Sequence, residues 1–214
     1  MRKLNLLDFK KNKIRILHFF KGYSQAGQDL FVLSLFDKAY KGTFVDVGCQ
    51  LPVKINNTFL LEKNGWTGLS LDIVDYSKEW EVRKSKFVCG DALTSNFKSL
   101  FVENKLPKVI DYLNIDIEGD GLRYLALVNV LESNHEFKVI TIEHDAYRGF
   151  ELTEREPQRR ILKEKGYFLL CSDVVNGNKP FEDWWISTKY FNESDYKNYK
   201  CSNTHYLDIL KKGI

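Results

Sequence analysis

The sequence has few of the residues that cross-link small domains or bind structural metals. Its 214 residues include only four cysteines, and none of them belongs to a C-x-x-C pair. This low number disfavours a zinc knuckle or a disulfide scaffold, and it predicts free thiols in a reducing, cytoplasmic environment. Only four prolines and thirteen glycines occur, and no internal repeat or low-complexity linker marks a domain boundary. The chain is therefore expected to form one globular domain.

Long apolar runs are also missing, since no stretch approaches the roughly 18–20 residues that a membrane-spanning helix requires. Charges interrupt every apolar stretch near the N-terminus, which argues against a secretory signal. The net charge of +3 gives no reason to expect a nucleic-acid partner. We divide the chain into a basic extension over 1–22, a domain over 23–190 and a tail over 191–214. Both ends are expected to pack on or beside the domain, with a membrane surface or a partner as the alternative for the basic one.

What is present is an alternation between short β-branched or aromatic runs and segments with helical spacing. This alternation is typical of a Rossmann-like α/β fold, in which helices cover both faces of a mostly parallel sheet. Seven strands are predicted, and the last two are expected to pair as an antiparallel edge. They cover residues 42–48, 68–73, 86–89, 110–116, 138–143, 166–172 and 183–188.

Two apolar features indicate how these elements pack. The helix predicted over 121–132 carries apolar residues on one face, namely Leu122, Leu125, Val128 and Leu131. Trp184 and Trp185 are adjacent on a predicted strand and therefore face opposite sides of the sheet. We expect both tryptophans in the core, with stacking of one of them on a sugar ring as the alternative.

Acidic residues stand at or just beyond the end of each of the first five predicted strands. In an open parallel sheet, ligands bind at the carboxyl ends of the strands, near the point where the strand order reverses. The acids are therefore expected to face one crevice. Because like charges repel, such a crevice favours a cationic ligand or a metal. The acids are Asp46, Asp72, Asp91, Asp116 and Glu143.

S-adenosylmethionine (SAM) fits this crevice, since it carries a sulfonium and an ammonium group and has no pyrophosphate. We expect Asp46 and Gly48 to line its methionyl end, because glycine allows close backbone approach. Asp72 is expected to accept from the ribose hydroxyls, and Asp91 with the Ala92 backbone is expected to meet the adenine. A nicotinamide cofactor is the weaker alternative, because the turn after the first strand has one glycine where the G-x-G-x-x-G pattern needs three.

Several motifs, taken in order, resemble those of the FkbM-type methyltransferases. They include T-F-V-D-V-G at 43–48 and N-I-D-I-E-G at 114–119. The matching stretches are residues 23–32, 42–48, 57–58, 61–62, 65–69, 113–119, 142–143 and 166–167. The resemblance implies a seven-stranded SAM-binding fold and O-methyl transfer, commonly to hydroxyls of sugars or natural products.

The resemblance also implies which residues contact the cofactor. It places contacts at Asp46, Gly48, Asp72 and Asp91. It suggests that the segment containing Gln25 and Gln28 folds over the cofactor or the substrate. Asn57 of the matching 57–58 pair and Asp116 complete the expected contacts.

Candidate catalytic residues lie beyond the fourth and fifth strands, because methyl transfer to a hydroxyl often needs a base near the methyl group. They are Asp116, Glu143 and His144, and His144 is best suited by its ordinary pKa. A hydrogen-bonding role in a loop is the alternative for this histidine. The same three side chains, with Asp183, can also be combined into a Mg²⁺ site of the kind that binds a substrate diol.

The sequence therefore predicts a SAM-dependent methyltransferase, with a hydroxyl of a sugar, glycan or small metabolite as the leading acceptor. Methylation of protein or nucleic acid is one alternative, although the N-P-P-Y type of tetrapeptide used for base amino groups is missing after the fourth strand. A module that binds a partner without catalysis is the other. The acids at all five strand ends argue against it, since a degenerate domain has no need to keep destabilising like charges.

Overall fold

The computed structural model describes residues 22–212, so nearly all of the basic extension predicted over 1–22 lies outside the described residues. Eight strands are present among the described residues. They are β1 (Thr43–Val47), β2 (Thr67–Asp72), β3 (Lys86–Cys89), β4 (Val109–Ile115), β5 (Glu136–Glu143), β6 (Phe168–Asn176), β7 (Lys179–Ile186) and β8 (Cys201–Ser202).

All eight strands belong to one mixed sheet with the order β3-β2-β1-β4-β5-β7-β6-β8. The first five are parallel to one another, whereas β7 runs antiparallel to both β5 and β6. The predicted α/β fold with an antiparallel edge is therefore confirmed. The strand order reverses between β1 and β4, which is where ligands bind in sheets of this kind.

The sheet has one strand more than the seven predicted. The additional strand, β8, has only two residues, and it pairs in parallel with β6 at the edge of the sheet. Two residues are too few to give a periodic pattern, so the sequence carries no signal for this strand. The β6–β7 hairpin is also longer than predicted and turns over residues 176–179.

Seven α-helices connect and cover the strands of the described region. They are α1 (Gln28–Ser34), α2 (Phe59–Lys63), α3 (Phe97–Glu103), α4 (Leu122–Glu132), α5 (Glu156–Glu164), α6 (Glu193–Tyr196) and α7 (Tyr206–Lys211). The connection between β2 and β3 contains a short 3₁₀ turn at Glu79–Val82. Within residues 22–212, no helix has the length and apolar character needed to cross a membrane.

Hydrophobic cores lie on both faces of the sheet. One is formed with α3, α4 and α5 and contains Trp185, and the other is formed with α1 and α7 and contains Trp184. Both indole side chains are fully buried, which confirms that the two tryptophans are core residues on opposite faces. The second core also takes in Ile209 and Leu210, so the C-terminal helix α7 packs against the domain.

The predicted apolar face of α4 is wrong in part. Leu125 is half exposed. The buried residues are Arg123, Ala126, Leu127, Val130 and Leu131. On the buried face, the Arg123 guanidinium contacts the carboxylates of Glu143 and Asp145. A pattern that counts only apolar residues cannot detect an arginine that is buried for this reason.

Candidate cofactor and acceptor sites

A cavity of about 490 Å³ lies at the carboxyl ends of β1, β2, β3 and β4. We call it the first cavity. Its volume is in the range of small-molecule sites. Of the residues predicted to contact a cofactor, five line it: Gly48, Asp72, Asp91, Ala92 and Asp116. The structure therefore brings together side chains from the ends of four separate strands, at the point where the strand order reverses.

Gly48 brings the ends of β1 and β4 close together. Its φ of 84° lies in the left-handed region, and a Cβ atom there would collide with the carbonyl oxygen of Asp116. Only glycine fits at this position. The backbone therefore forms the floor of the first cavity without a side chain above it.

Asp72 is held rigidly at the end of β2. Its Oδ2 accepts from the Gln50 N–H at 2.8 Å, and its Oδ1 accepts from the Val74 N–H at 2.9 Å. An ionised carboxylate has about four acceptor positions, so two remain for a ligand. This geometry suits a pair of neighbouring hydroxyls.

The end of the first cavity beside β3 combines an acid with apolar walls. Asp91 uses its Oδ1 to accept from the Leu93 N–H at 2.8 Å. Ile73 and Val74 line the same cavity and are 69% and 50% exposed, although both are large and apolar. A flat apolar ring with an amine at its edge would cover these side chains and meet the Asp91 carboxylate.

Asp46 lies beneath the first cavity and does not line it. Asn114 donates to its Oδ1 at 2.9 Å and Thr58 donates to its Oδ2 at 3.1 Å, so both oxygens are occupied within the protein. Burial raises the pKa of this carboxyl to about 6. In this position Asp46 connects β1 to β4 and to the start of α2, and it supports the site from below.

The loop after β1 is held by Asn56, the neighbour of the predicted cofactor contact Asn57. The Asn56 amide donates to the carbonyls of Cys49 and Leu51, at 3.1 Å in each case. The buried Arg83 guanidinium donates to its Oδ1 at 3.1 Å. Asn57 is buried and lies outside the lining of the first cavity. The sequence contains two adjacent asparagines here, and nothing in it distinguishes their roles.

A second cavity of about 480 Å³ lies beside the first, at the end of β5 and the turn of the β6–β7 hairpin. Its lining is mostly polar: Gln25, Glu143, Asp145, Tyr147, Asn176, Gly177, Asn178, Lys179 and Phe181. The predicted contact Gln25 therefore belongs to this second cavity. Gln28 lines neither cavity, because its buried amide donates to Glu182 at 3.0 Å.

Asp116 and Glu143 lie between the two cavities. Asp116 lines the first, Glu143 lines the second, and their carboxyls hydrogen-bond each other. Burial, followed by repulsion from Asp116, raises the pKa of Glu143 well above its usual range. Burial and the nearby charge of Asp116 therefore favour the protonated form of Glu143 more than in an exposed glutamate.

Arg123 supplies a buried positive charge to a cluster of three acids, Glu143, Asp145 and Glu154, which we call the acidic cluster. Its Nη2 donates to Glu143 at 2.6 Å and to Asp145 at 3.0 Å, and its side chain is fully buried. Glu154 lies 3.9 Å from the same guanidinium. Sequence reasoning missed Arg123, since an arginine in an amphipathic helix is ordinarily read as solvent-exposed.

The structure places His144 apart from the other two predicted catalytic residues, Asp116 and Glu143. His144 follows Glu143 directly, so its ring lies on the other face of the sheet. There its Nδ1 accepts from the Ala146 N–H at 3.1 Å, and its Nε2 lies 3.5 Å from Asp183. His144 is fully buried and lines neither cavity. The hydrogen-bonding alternative for this histidine agrees with its position.

The three side chains of the predicted Mg²⁺ site do not come together, because His144 is separated from Asp116 and Glu143. Among the described residues, His144 lies instead with Asp173 and Asp183. Arg159 donates to both oxygens of Asp183, at 2.7 and 2.8 Å, and lies 2.9 Å from Asp173. Its guanidinium therefore already supplies the positive charge that these carboxylates require.

No family model matches the chain, and no curated protein matches it. Among solved structures, a Klebsiella pneumoniae protein assigned as an O-methyltransferase is 14% identical, with 81% of this chain and 88% of that chain covered and a TM-score of 0.52. A Streptococcus mutans protein assigned as a methyltransferase, solved with S-adenosylhomocysteine (SAH), is 12% identical, with 74% of this chain and 93% of that chain covered and a TM-score of 0.44. The chain has a methyltransferase fold. At these identities the likeness concerns the fold, and membership of the FkbM-type family stays a prediction.

The buried side chain of Glu182 is expected to make the folding stability of the protein depend on pH. Burial raises its pKa from 4.5 to about 8. The folded protein thus keeps this proton over a range in which the unfolded chain has lost it, and stability falls as the pH rises from about 4.5 to about 8. We expect Glu182→Gln to flatten this decline in urea unfolding measured between about pH 5.5 and about pH 8.5.

The matched control for this experiment is Glu136→Gln. Glu136 lies at the amino end of β5, and its pKa is lowered by a hydrogen bond from Lys189. Its titration therefore lies below the tested range, and the decline should stay as in the wild type. Parallel stability curves for wild type and Glu182→Gln would show that Glu182 ionises equally in the folded and unfolded states.

Proposed function

We propose that the protein is a SAM-dependent methyltransferase that binds SAM in the first cavity and a hydroxyl-bearing acceptor in the second. The observation that carries this proposal is the contact between two carboxyls, since Asp116 lines the first cavity and Glu143 lines the second. Cofactor and acceptor would meet at this pair. A proton acceptor would then lie beside the oxygen that receives the methyl group.

The first cavity fits SAM in several independent respects. Asp72 has two acceptor positions left for the ribose hydroxyls, and Asp91 lies beside an apolar wall that suits the adenine. Asp116 places negative charge toward the sulfonium end. The turn at Gly48 has no phosphate-binding glycine series, which agrees with a cofactor that has no pyrophosphate.

Bound SAM supplies an electrophilic methyl group on a positively charged sulfur. The residues of this chain supply orientation and a site for the proton. Glu143 faces the second cavity, and the negative charge of its pair with Asp116 accepts the proton from the acceptor hydroxyl. Arg123 holds Glu143 in place through its 2.6 Å hydrogen bond and limits the cost of burying the charge.

The second cavity favours a small polar acceptor. Gln25, Asn176 and Asn178 offer amide donors and acceptors, and the rings of Tyr147 and Phe181 give two apolar surfaces. This combination suits a sugar or a similar polyhydroxylated metabolite. The resemblance to FkbM-type methyltransferases supports the same acceptor class.

The proposal is tested by combining binding and turnover measurements on Glu143→Gln. Purified protein is titrated with SAH by calorimetry, and transfer of a labelled methyl group from SAM to a panel of sugars and small hydroxyl compounds is then measured. We expect the variant to bind SAH with nearly the wild-type Kd, since Glu143 does not line the first cavity. Turnover should fall by about 10²-fold to 10⁴-fold, because the proton acceptor is lost.

Glu136→Gln is the matched control, because it makes the same change at the amino end of the same strand, far from both cavities. It should retain wild-type binding and turnover. If folded wild-type protein does not bind SAH, the methyltransferase proposal fails and the non-catalytic alternative gains support. If Glu143→Gln keeps full turnover, the role of the carboxyl pair is wrong.

A further inference from the structure

Two cysteines lie side by side at the far edge of the sheet. Cys171 on β6 and Cys201 on β8 are direct register partners in a parallel pairing. Partners in neighbouring strands point to the same face, and strands are about 4.8 Å apart. This spacing lies within the Cα–Cα range of disulfides, which is about 4.4–6.8 Å. The register of the two strands is therefore compatible with an S–S bond between these residues.

The two neighbouring thiols differ in exposure. Both are free, with Cys171 buried and Cys201 partly exposed. The Cys171 thiol donates to the Tyr199 carbonyl at 3.3 Å. The neighbouring Cys171, together with the positive charge of Lys212, lowers the pKa of the Cys201 thiol to about 7. The partly exposed member is therefore substantially ionised at neutral pH, and the thiolate is the form that reacts with disulfides.

A bond between them would tie the C-terminal segment, residues 193–212, to the sheet. This segment supports the N-terminal part of the domain, because the Leu210 and Tyr206 side chains lie close to Gly27. The Tyr199 ring packs edge-on against Phe31, 5.6 Å between centroids. Gln25 of the second cavity precedes Gly27 by two residues. The cysteine pair is therefore connected by direct packing to one wall of that cavity.

We propose that Cys171 and Cys201 form a reversible disulfide that fastens the C-terminal segment to β6, with a small-molecule disulfide as the oxidant. The Cys201 thiolate attacks one sulfur of the oxidant, forms a mixed disulfide and releases the first thiol. Cys171 then loses its proton and attacks the Cys201 sulfur, which releases the second thiol. Two protein thiols are oxidised, and one disulfide of the oxidant is reduced to two thiols.

The test compares the reduced wild-type protein with protein equilibrated in glutathione disulfide. We expect an intact-mass decrease of about 2 Da, loss of two of the four thiols, and a digest in which the peptides of Cys171 and Cys201 are linked. Backbone hydrogen exchange over residues 201–211 should slow by roughly tenfold or more in the oxidised form. Neither thiol lines the first or the second cavity, so this result does not depend on methyl transfer.

Two variants complete the experiment. Cys89→Ser removes the exposed thiol on β3 and should form the linked peptides as the wild type does. Cys201→Ser should leave Cys171 unlinked. A lasting glutathione adduct on Cys201, or a link that involves Cys89, would overturn the proposal, as would four unchanged thiols. The decisive measurement is made on the wild-type chain, so it stands even if a variant does not fold.

Discussion

Replacing Asp72 with alanine is expected to weaken SAH binding by about 100-fold while the protein stays folded. The carboxylate lies at the end of β2, inside the first cavity, and it also orients the backbone of Gln50 and Val74. Hydrogen bonds to a charged group contribute about 1.5–3 kcal/mol each, and the substitution removes those to the ligand together with the local backbone support. Calorimetric titration of both proteins with SAH measures the change in Kd directly.

Asp75→Ala is the control that separates the loss of the Asp72 contacts from the loss of one negative charge in the same region of the chain. Asp75 lies three residues further along the chain, is exposed, and hydrogen-bonds only within its own turn, at Ser77. The Kd for SAH should change by less than about twofold, as is usual for a surface substitution. Equal binding by wild type and Asp72→Ala would remove Asp72 from the cofactor site and would argue against the first cavity as the SAM pocket.

Replacing Arg123 with methionine is expected to destabilise the protein by about 3–5 kcal/mol, the cost typical of removing one partner from a buried ion pair. Methionine fills a similar volume but leaves Glu143 and Asp145 without their common cation. Their repulsion would then be compensated only by proton uptake or by local opening. In thermal unfolding this corresponds to a fall in Tm of roughly 10 °C for a chain of this length.

Arg148→Met provides the comparison. Arg148 also contacts Asp145, at 3.1 Å, but its side chain is 44% exposed. An exposed ion pair contributes at most about 1 kcal/mol, so we expect a change in stability of less than about 1 kcal/mol. If both variants lose the same stability, burial of Arg123 does not matter, and the account of the acidic cluster given above is wrong.

The sequence predicts those parts of the structure that follow from the periodicity of apolar residues and from the positions of the strand ends. The strands up to β5 could be predicted because β-branched runs alternate with helical spacing, and this topology alone brings Asp72, Asp91 and Asp116 to one edge. The first cavity follows from that arrangement. The antiparallel edge formed with β7 followed from the same pattern of runs.

Features that depend on side-chain contacts between distant segments could not be predicted. Arg123 is buried because three acids from other elements surround it, and no local pattern records them. His144 was placed beside Glu143 because the two are adjacent in sequence, whereas a strand directs neighbours to opposite faces. The second cavity needs the turn at 176–179 and the segment around Gln25 together, and these are about 150 residues apart in the chain.

On the proposed function, the contact between the Asp116 and Glu143 carboxyls would couple the two cavities electrostatically. A positive charge in the first cavity would favour ionisation of the pair, and an acceptor that donates a hydrogen bond from the second cavity would do the same. By thermodynamic reciprocity, each ligand would then strengthen the binding of the other through the charge of this pair. Occupancy of one cavity would be sensed in the other without any movement of the backbone.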